Sequence, residues 1–166
     1  MKRSRKSRPA GAIPATTSRG SVSVPAWLKR LYRTQRHAVL ATSLNDLPRA
    51  SLMALALMPD GRGLLLAMPK GTTKYRNIAK NSRVSLVIDN RENSSGDYLV
   101  AEAMTIFGRV REVRKKQART ALAWVLARKH PGLREFIDAL TTALILVRIE
   151  RCLHIGRFQT VTSWKA

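Results

Sequence analysis

One turn constrains the middle of this chain more than any other feature. Pro59-Asp60-Gly61 stands between two apolar runs, Arg49 to Met58 and Gly63 to Met68. Asp-Gly suits a tight antiparallel hairpin, and Pro59 cannot donate to a continuing ladder. A lone hairpin cannot bury its apolar surface, so other strands must join it.

The sequence offers those strands. His37 to Ser43 is short and partly β-branched, and Asn45-Asp46 turns it towards the Arg49 run. Arg83 to Asp89 alternates Val84, Leu86 and Ile88 with Ser85, Val87 and Asp89. Ala103 to Val113 reads as a long strand in which Gly108 marks a bulge or a close approach. Ala143 to Ile149 and Cys152 to Val161 read as two final strands. Helical patterns fall at Pro25 to Thr34, Thr72 to Asn81, and Lys115 to Ala139 with a break at His130-Pro131-Gly132. Residues 90–97 form a polar loop. The expected fold is mainly β with flanking helices, its antiparallel strands forming a closed or partly closed barrel.

Charge limits the partners. The chain has 166 residues, with 31 Lys and Arg against 10 acids, for a net charge of +21. Residues 1–24 lack periodicity and are expected to be a disordered basic tail, leaving residues 25–166 as one domain. Without the six bases of the first 25 residues the body still carries +15, so an anionic ligand or surface is expected. Cys152 is the single cysteine, which rules out an internal disulfide and fits a cytoplasmic setting. No apolar stretch approaches the ~20 residues of a membrane span, and no apolar segment follows the basic N-terminus as in a secretory signal.

The stretch from Ala67 to Asn77 carries the most chemistry. A strand ends at Met68, a Pro-Lys-Gly turn follows, and a helix opens on Thr72 and Thr73. The first N–H groups of a helix lack internal partners and its dipole is positive there, so phosphate is a natural ligand. Thr72 and Thr73 add hydroxyls, Lys74 adds charge, and Arg49 can reach the same anion with a planar fork. The same residues equally suit a capped helix with Lys74 and Arg76 on a solvated face. The Walker A pattern is absent.

From about Arg33 to Gln159 the order of motifs resembles the pyridoxamine 5′-phosphate oxidase-like, flavin-binding split-barrel family. The carriers are His37-Ala-Val-Leu-Ala-Thr42, Pro48-Arg-Ala-Ser-Leu52, Asp60-Gly-Arg-Gly-Leu-Leu-Leu-Ala67, Thr72-Thr-Lys-Tyr-Arg-Asn77, Ser82-Arg-Val-Ser-Leu-Val-Ile-Asp89 and Thr105-Ile-Phe-Gly-Arg109. The resemblance implies a six-stranded antiparallel split β-barrel, a homodimer, and flavin mononucleotide (FMN) at the dimer interface. It implies cofactor contacts from Arg49, Ser51, Leu52 and Met53, from Ala67 and Met68, and from Thr72, Thr73, Lys74 and Asn77. It also implies a flavin-dependent oxidoreductase acting on a small-molecule substrate. No catalytic side chain or metal ligand set stands out. The chain departs from the family's oxidases at Ala54, where they carry Lys, at Ala103, where they carry Gln, and at its closing Ser163-Trp-Lys-Ala166. Vitamin B6 oxidation is therefore not implied.

Two alternatives stay open. One is a non-catalytic split-barrel module holding haem or a deazaflavin. The other is a basic protein that contacts nucleic acid non-specifically through its tail. His37, His130 and His154 read as packing or surface residues, Cys152 as a buried thiol, and Trp124 with Leu122, Val125 and Leu126 as a core or dimer face. Phe158-Gln159 reads as strand or as a segment facing the partner's flavin.

Overall fold

A computed structural model of the chain describes residues 15–17, 26–156 and 160–165. Its strands are β1 (Ala15–Thr17), β2 (His37–Leu44), β3 (Leu47–Leu57), β4 (Gly63–Pro69), β5 (Arg83–Asp89), β6 (Ala103–Glu112), β7 (Thr142–Gly156) and β8 (Thr160–Lys165). Its helices are α1 (Ala26–Thr34), α2 (Thr73–Lys80), α3 (Asp97–Val100), α4 (Lys116–Lys129) and α5 (Arg134–Asp138), the last two joined by a short 3-10 turn at Pro131–Leu133.

Six strands close a barrel. They run in the order β7-β4-β3-β2-β5-β6, and β6 pairs back onto β7. All pairs within this ring are antiparallel. Along β7, residues up to Arg148 pair with β4, whereas Arg151 to Gly156 pair with β8. Beyond Arg148, then, β8 takes the edge of β7 that β4 holds before it. The short β1 adds in parallel to the outside of β8. The tail expected over residues 1–24 lies outside the described residues except for this strand.

The hairpins follow their sequences. Asn45 and Asp46 both have positive φ, 51° and 60°, and close the β2–β3 turn between Leu44 and Leu47. Such paired left-handed residues match the twist of the flanking strands, and Asn and Asp tolerate them best. Gly61, at φ 73°, closes the β3–β4 hairpin.

Two apolar layers explain the strand patterns. Leu64, Leu66 and Met68 of β4 point into the barrel with Leu40, Leu55, Leu86, Ile106 and Val147. Leu65 points outward and packs under α4 and α5 with Leu126, Ile137, Leu144 and Leu146. A strand covered on both faces reads as a continuous apolar run, which β4 and the first half of β7 do. Helix α1 places Leu31 and Tyr32 in the barrel interior, and α2 adds Ile78 to it.

The structure corrects three expectations. The break expected between Ile149 and Cys152 does not occur, and β7 runs unbroken from Thr142 to Gly156. The polar Glu150-Arg151 pair is absorbed by a bulge, since Gly108 faces Ile149 while Phe107 faces Arg151. The last strand consequently starts at Thr160, and Phe158-Gln159 lie outside the described residues. Of the core and dimer places expected for Trp124, the structure excludes the core one, since Trp124 is 52% exposed with the Arg128 guanidinium 4.9 Å from its ring. Leu122, Val125 and Leu126 do pack inward.

Among the described residues, no helix is long and apolar enough to cross a membrane, and no group of three His, Cys, Asp or Glu could hold a metal.

Candidate functional site

Strand β3 and the start of α2 meet at one end of the barrel. Between them lies a cavity of about 400 Å³ lined by Pro48, Arg49, Ala50, Ser51, Thr72, Thr73 and Lys74. Two segments about twenty residues apart in sequence thus converge on one space.

The helix start is built as the sequence suggests. Thr72 is the N-cap, with extended backbone, and its Oγ1 accepts the Tyr75 N–H at 3.4 Å while donating to the Pro69 carbonyl at 2.8 Å. Thr73 and Lys74 are the first two helical residues, so their N–H groups have no earlier turn to bond to. No acid occupies this first turn. Arg76 folds back on the turn, donating to the Gly71 carbonyl and to Thr73 Oγ1 at 3.0 and 2.9 Å. Among the described residues, neither Arg49 nor Lys74 makes an ion pair, so both cations face the cavity uncompensated. The electrostatics of this space favour an anion.

The other expected site residues do not line this cavity. Met53 and Met68 are buried in the barrel interior. Ala67 packs on the layer beneath α4 and α5. Asn77 is buried, and its Nδ2 donates to Thr42 Oγ1 at 3.2 Å, tying α2 to β2. Leu52 is 70% exposed on the outer face of β3. Arg49, Ser51, Thr72, Thr73 and Lys74 are brought together, and Pro48 and Ala50 complete the lining.

None of the three histidines lines this cavity. His130 is buried, with Nε2 2.9 Å from the Leu55 carbonyl, and its ring centroid is 6.3 Å from that of His37. His154 stands 3.9 Å from the Glu102 carboxylate. Cys152 is buried in the barrel, and burial pushes its thiol pKa up to about 12.

A closed six-stranded antiparallel barrel with flanking helices defines the class of split barrels. The sequence pattern of the pyridoxamine 5′-phosphate oxidase family matches residues 25–154, and the chain belongs to that family. It is 31% identical to a pyridoxamine 5′-phosphate oxidase homolog of Schizosaccharomyces pombe, over 44% of this chain and 45% of that protein. The match thus spans less than half the length of this relative. Among solved structures, a haem-binding protein from Mycobacterium smegmatis superposes with a TM-score of 0.72 at 19% identity, covering 86% of this chain and 59% of that one. An FAD-binding protein from Mesorhizobium loti does so with a TM-score of 0.64 at 13% identity, covering 79% and 94%. At these identities the likeness is one of fold.

Proposed function

We propose that the chain binds FMN as a homodimer and acts as a flavin-dependent oxidoreductase on a small molecule. The observation that carries this is the convergence of Arg49, Ser51, Thr72, Thr73 and Lys74 on one acid-free cavity. The donor set fits a phosphate monoester. Lys74 and the Arg49 fork supply charge, the Thr hydroxyls and the α2 N–H groups supply directed donors, and no carboxylate opposes them. The outer face of β3, with Ala50 and the exposed Leu52, offers an apolar strip beside the pocket for a flat ring. When bound, a flavin supplies hydride chemistry of its own. The chain's residues then have to bind, orient and shield it. Vitamin B6 oxidation is left out, because Ala54 and Ala103 offer only methyl groups.

The test is an absorption spectrum of the purified protein followed by titration with FMN. Tight uptake of one FMN per chain is expected. Arg49→Ala combined with Lys74→Ala should weaken FMN by roughly 30-fold or more, because hydrogen bonds to charged groups contribute about 1.5–3 kcal/mol each and solvent reduces this at an open site. Folded protein that takes up no flavin would overturn the reading, and a haem Soret band would replace it with the haem-binding alternative. Unchanged FMN affinity in the double variant would move the phosphate out of this pocket.

A further inference from the structure

A second cleft lies apart from the phosphate pocket and shares no residue with it. Its volume is about 590 Å³; Met58 and Leu146 supply its apolar side chains, and Asp60, Gly63 and Val110 also line it. Four arginines line it: Arg62, Arg109, Arg111 and Arg148. Arg109-Val-Arg111 puts two guanidiniums on one strand face at the β period of two.

The strand register makes this cluster unusual. Arg83 of β5 stands directly opposite Arg109 of β6, and Arg109 stands directly opposite Arg148 of β7. Neighbouring strands are about 4.8 Å apart. Three guanidinium-bearing residues therefore form a row across three strands, of which Arg109 and Arg148 line the cleft and Arg83 does not, and like charges placed directly opposite destabilise a sheet. Their outward direction is fixed, because Val84, Val110, Val147 and Ile149 fill the barrel interior.

Compensation is partial. Arg109 pairs with Glu150 at 2.9 Å, both side chains half exposed. The Asp60 carboxylate accepts the backbone N–H of Arg62, so it serves the hairpin turn. Among the described residues, Arg62, Arg83, Arg111 and Arg148 have no ion pair. The close approach of β6 to β7 is built in, since a Cβ on Gly108 would stand 2.3 Å from the Arg148 carbonyl oxygen. Gly63 is a second close approach, since a Cβ there would stand 2.9 Å from Leu146 Cδ1 and 3.1 Å from the Val147 carbonyl oxygen.

We infer that this cleft binds a nucleoside di- or triphosphate. Among the described residues, Arg62, Arg111 and Arg148 line this one cleft without an ion pair, and linked phosphates accept from Arg in paired bonds. The apolar Met58 and Leu146, within a volume ordinary for a small-ligand site, suit a flat base. A lone phosphate would not engage Arg62, Arg111 and Arg148 together as linked phosphates can.

The test uses the full chain and isothermal titration with ATP, ADP and AMP at about physiological salt, where non-specific contact through basic residues is weakened. Saturable one-to-one binding is expected, with ATP and ADP at least tenfold tighter than AMP. Arg111→Ala combined with Arg148→Ala should cost at least tenfold in ATP affinity, and so should Arg62→Ala combined with Arg111→Ala, a second pair kept in case the first disturbs β7. Arg49→Ala with Lys74→Ala should leave ATP binding unchanged, which separates this cleft from the proposed FMN pocket. Absence of saturable nucleotide binding would overturn the inference. So would equal affinity for AMP and ATP, or ATP binding lost only in the Arg49 and Lys74 variant. Binding of a single-stranded oligonucleotide without binding of ATP would overturn it too, assigning the row to a nucleic-acid backbone.

Discussion

His130 shows how one residue couples this fold to pH. It is 7% exposed, and its Nε2 lies 2.9 Å from the Leu55 carbonyl, a geometry in which the neutral ring donates Nε2–H. Burial lowers its pKa below the ordinary 6.5, and the charges of Lys129, His37 and Arg36 push the same way, against the Leu55 carbonyl. The unfolded chain takes up a proton near the ordinary value, whereas the folded chain does so only at lower pH. Between the two, the unfolded state holds more protons, so stability is intact above 6.5 and falls as pH drops through that window. Urea midpoints measured from pH 7.5 to 5 should fall for the wild type and fall less steeply for His130→Gln, which can still donate to Leu55. Equal slopes would assign the acid loss to other groups, of which His154 is also lowered by burial. Residue types alone did not separate such roles. Asn77 carries the same donors whether it meets a ligand or Thr42, and its bond to Thr42 becomes visible only once α2 packs on β2.

At the scale of elements, the sequence was most legible where turn chemistry and strand period agree. The hairpins at Asn45-Asp46 and Asp60-Gly61, the helix start at Thr72 and the break at His130-Pro131 all stand where local physics puts them. Strand β7 was misread because polarity at Glu150-Arg151 resembles a turn, and the partner strand that accommodates it is forty residues away. Gly108 is the other half of that accommodation. A Cβ there would meet the Arg148 carbonyl oxygen at 2.3 Å, and backbone cannot yield as a side-chain tip can. Gly108→Ala should therefore destabilise by about 1–3 kcal/mol, the usual cost of overpacking. Urea unfolding checks this, and an unchanged midpoint would show that β6 and β7 can separate at the bulge. The arginine row stayed hidden for the same reason as the bulge, since Arg83, Arg109 and Arg148 become neighbours only once three strands are in register.

Among the described residues, one sheet face carries exposed apolar side chains. Across β3, β2, β5, β6 and β7 the register aligns Leu52, Val39, Val87, Thr105 and Leu153 in a row. Leu52 is 70% exposed and Val87 36%, and Ile155 lies two residues along β7 at 42%. An apolar strip across five strands is more than the scattered surface residues of an ordinary monomer, and it runs from the edge of the phosphate pocket, where Ala50 and Ser51 stand beside Leu52. A second copy of the chain laid on this face would cover the strip and wall the ring end of a flavin held at Arg49 and Lys74. A stable dimer needs about 800 Å² from each partner, an area that a five-stranded face can supply. Sedimentation at micromolar concentration should then give a dimer for the wild type. Leu52→Glu combined with Val87→Glu should give a folded monomer with an unchanged far-UV spectrum, because both side chains are exposed on the strip, so the charges enter the interface and not the core. FMN affinity should fall with the dimer. A wild type that sediments as a monomer, or a double variant that stays dimeric, would place the partner elsewhere, or show that one copy holds the ligand alone.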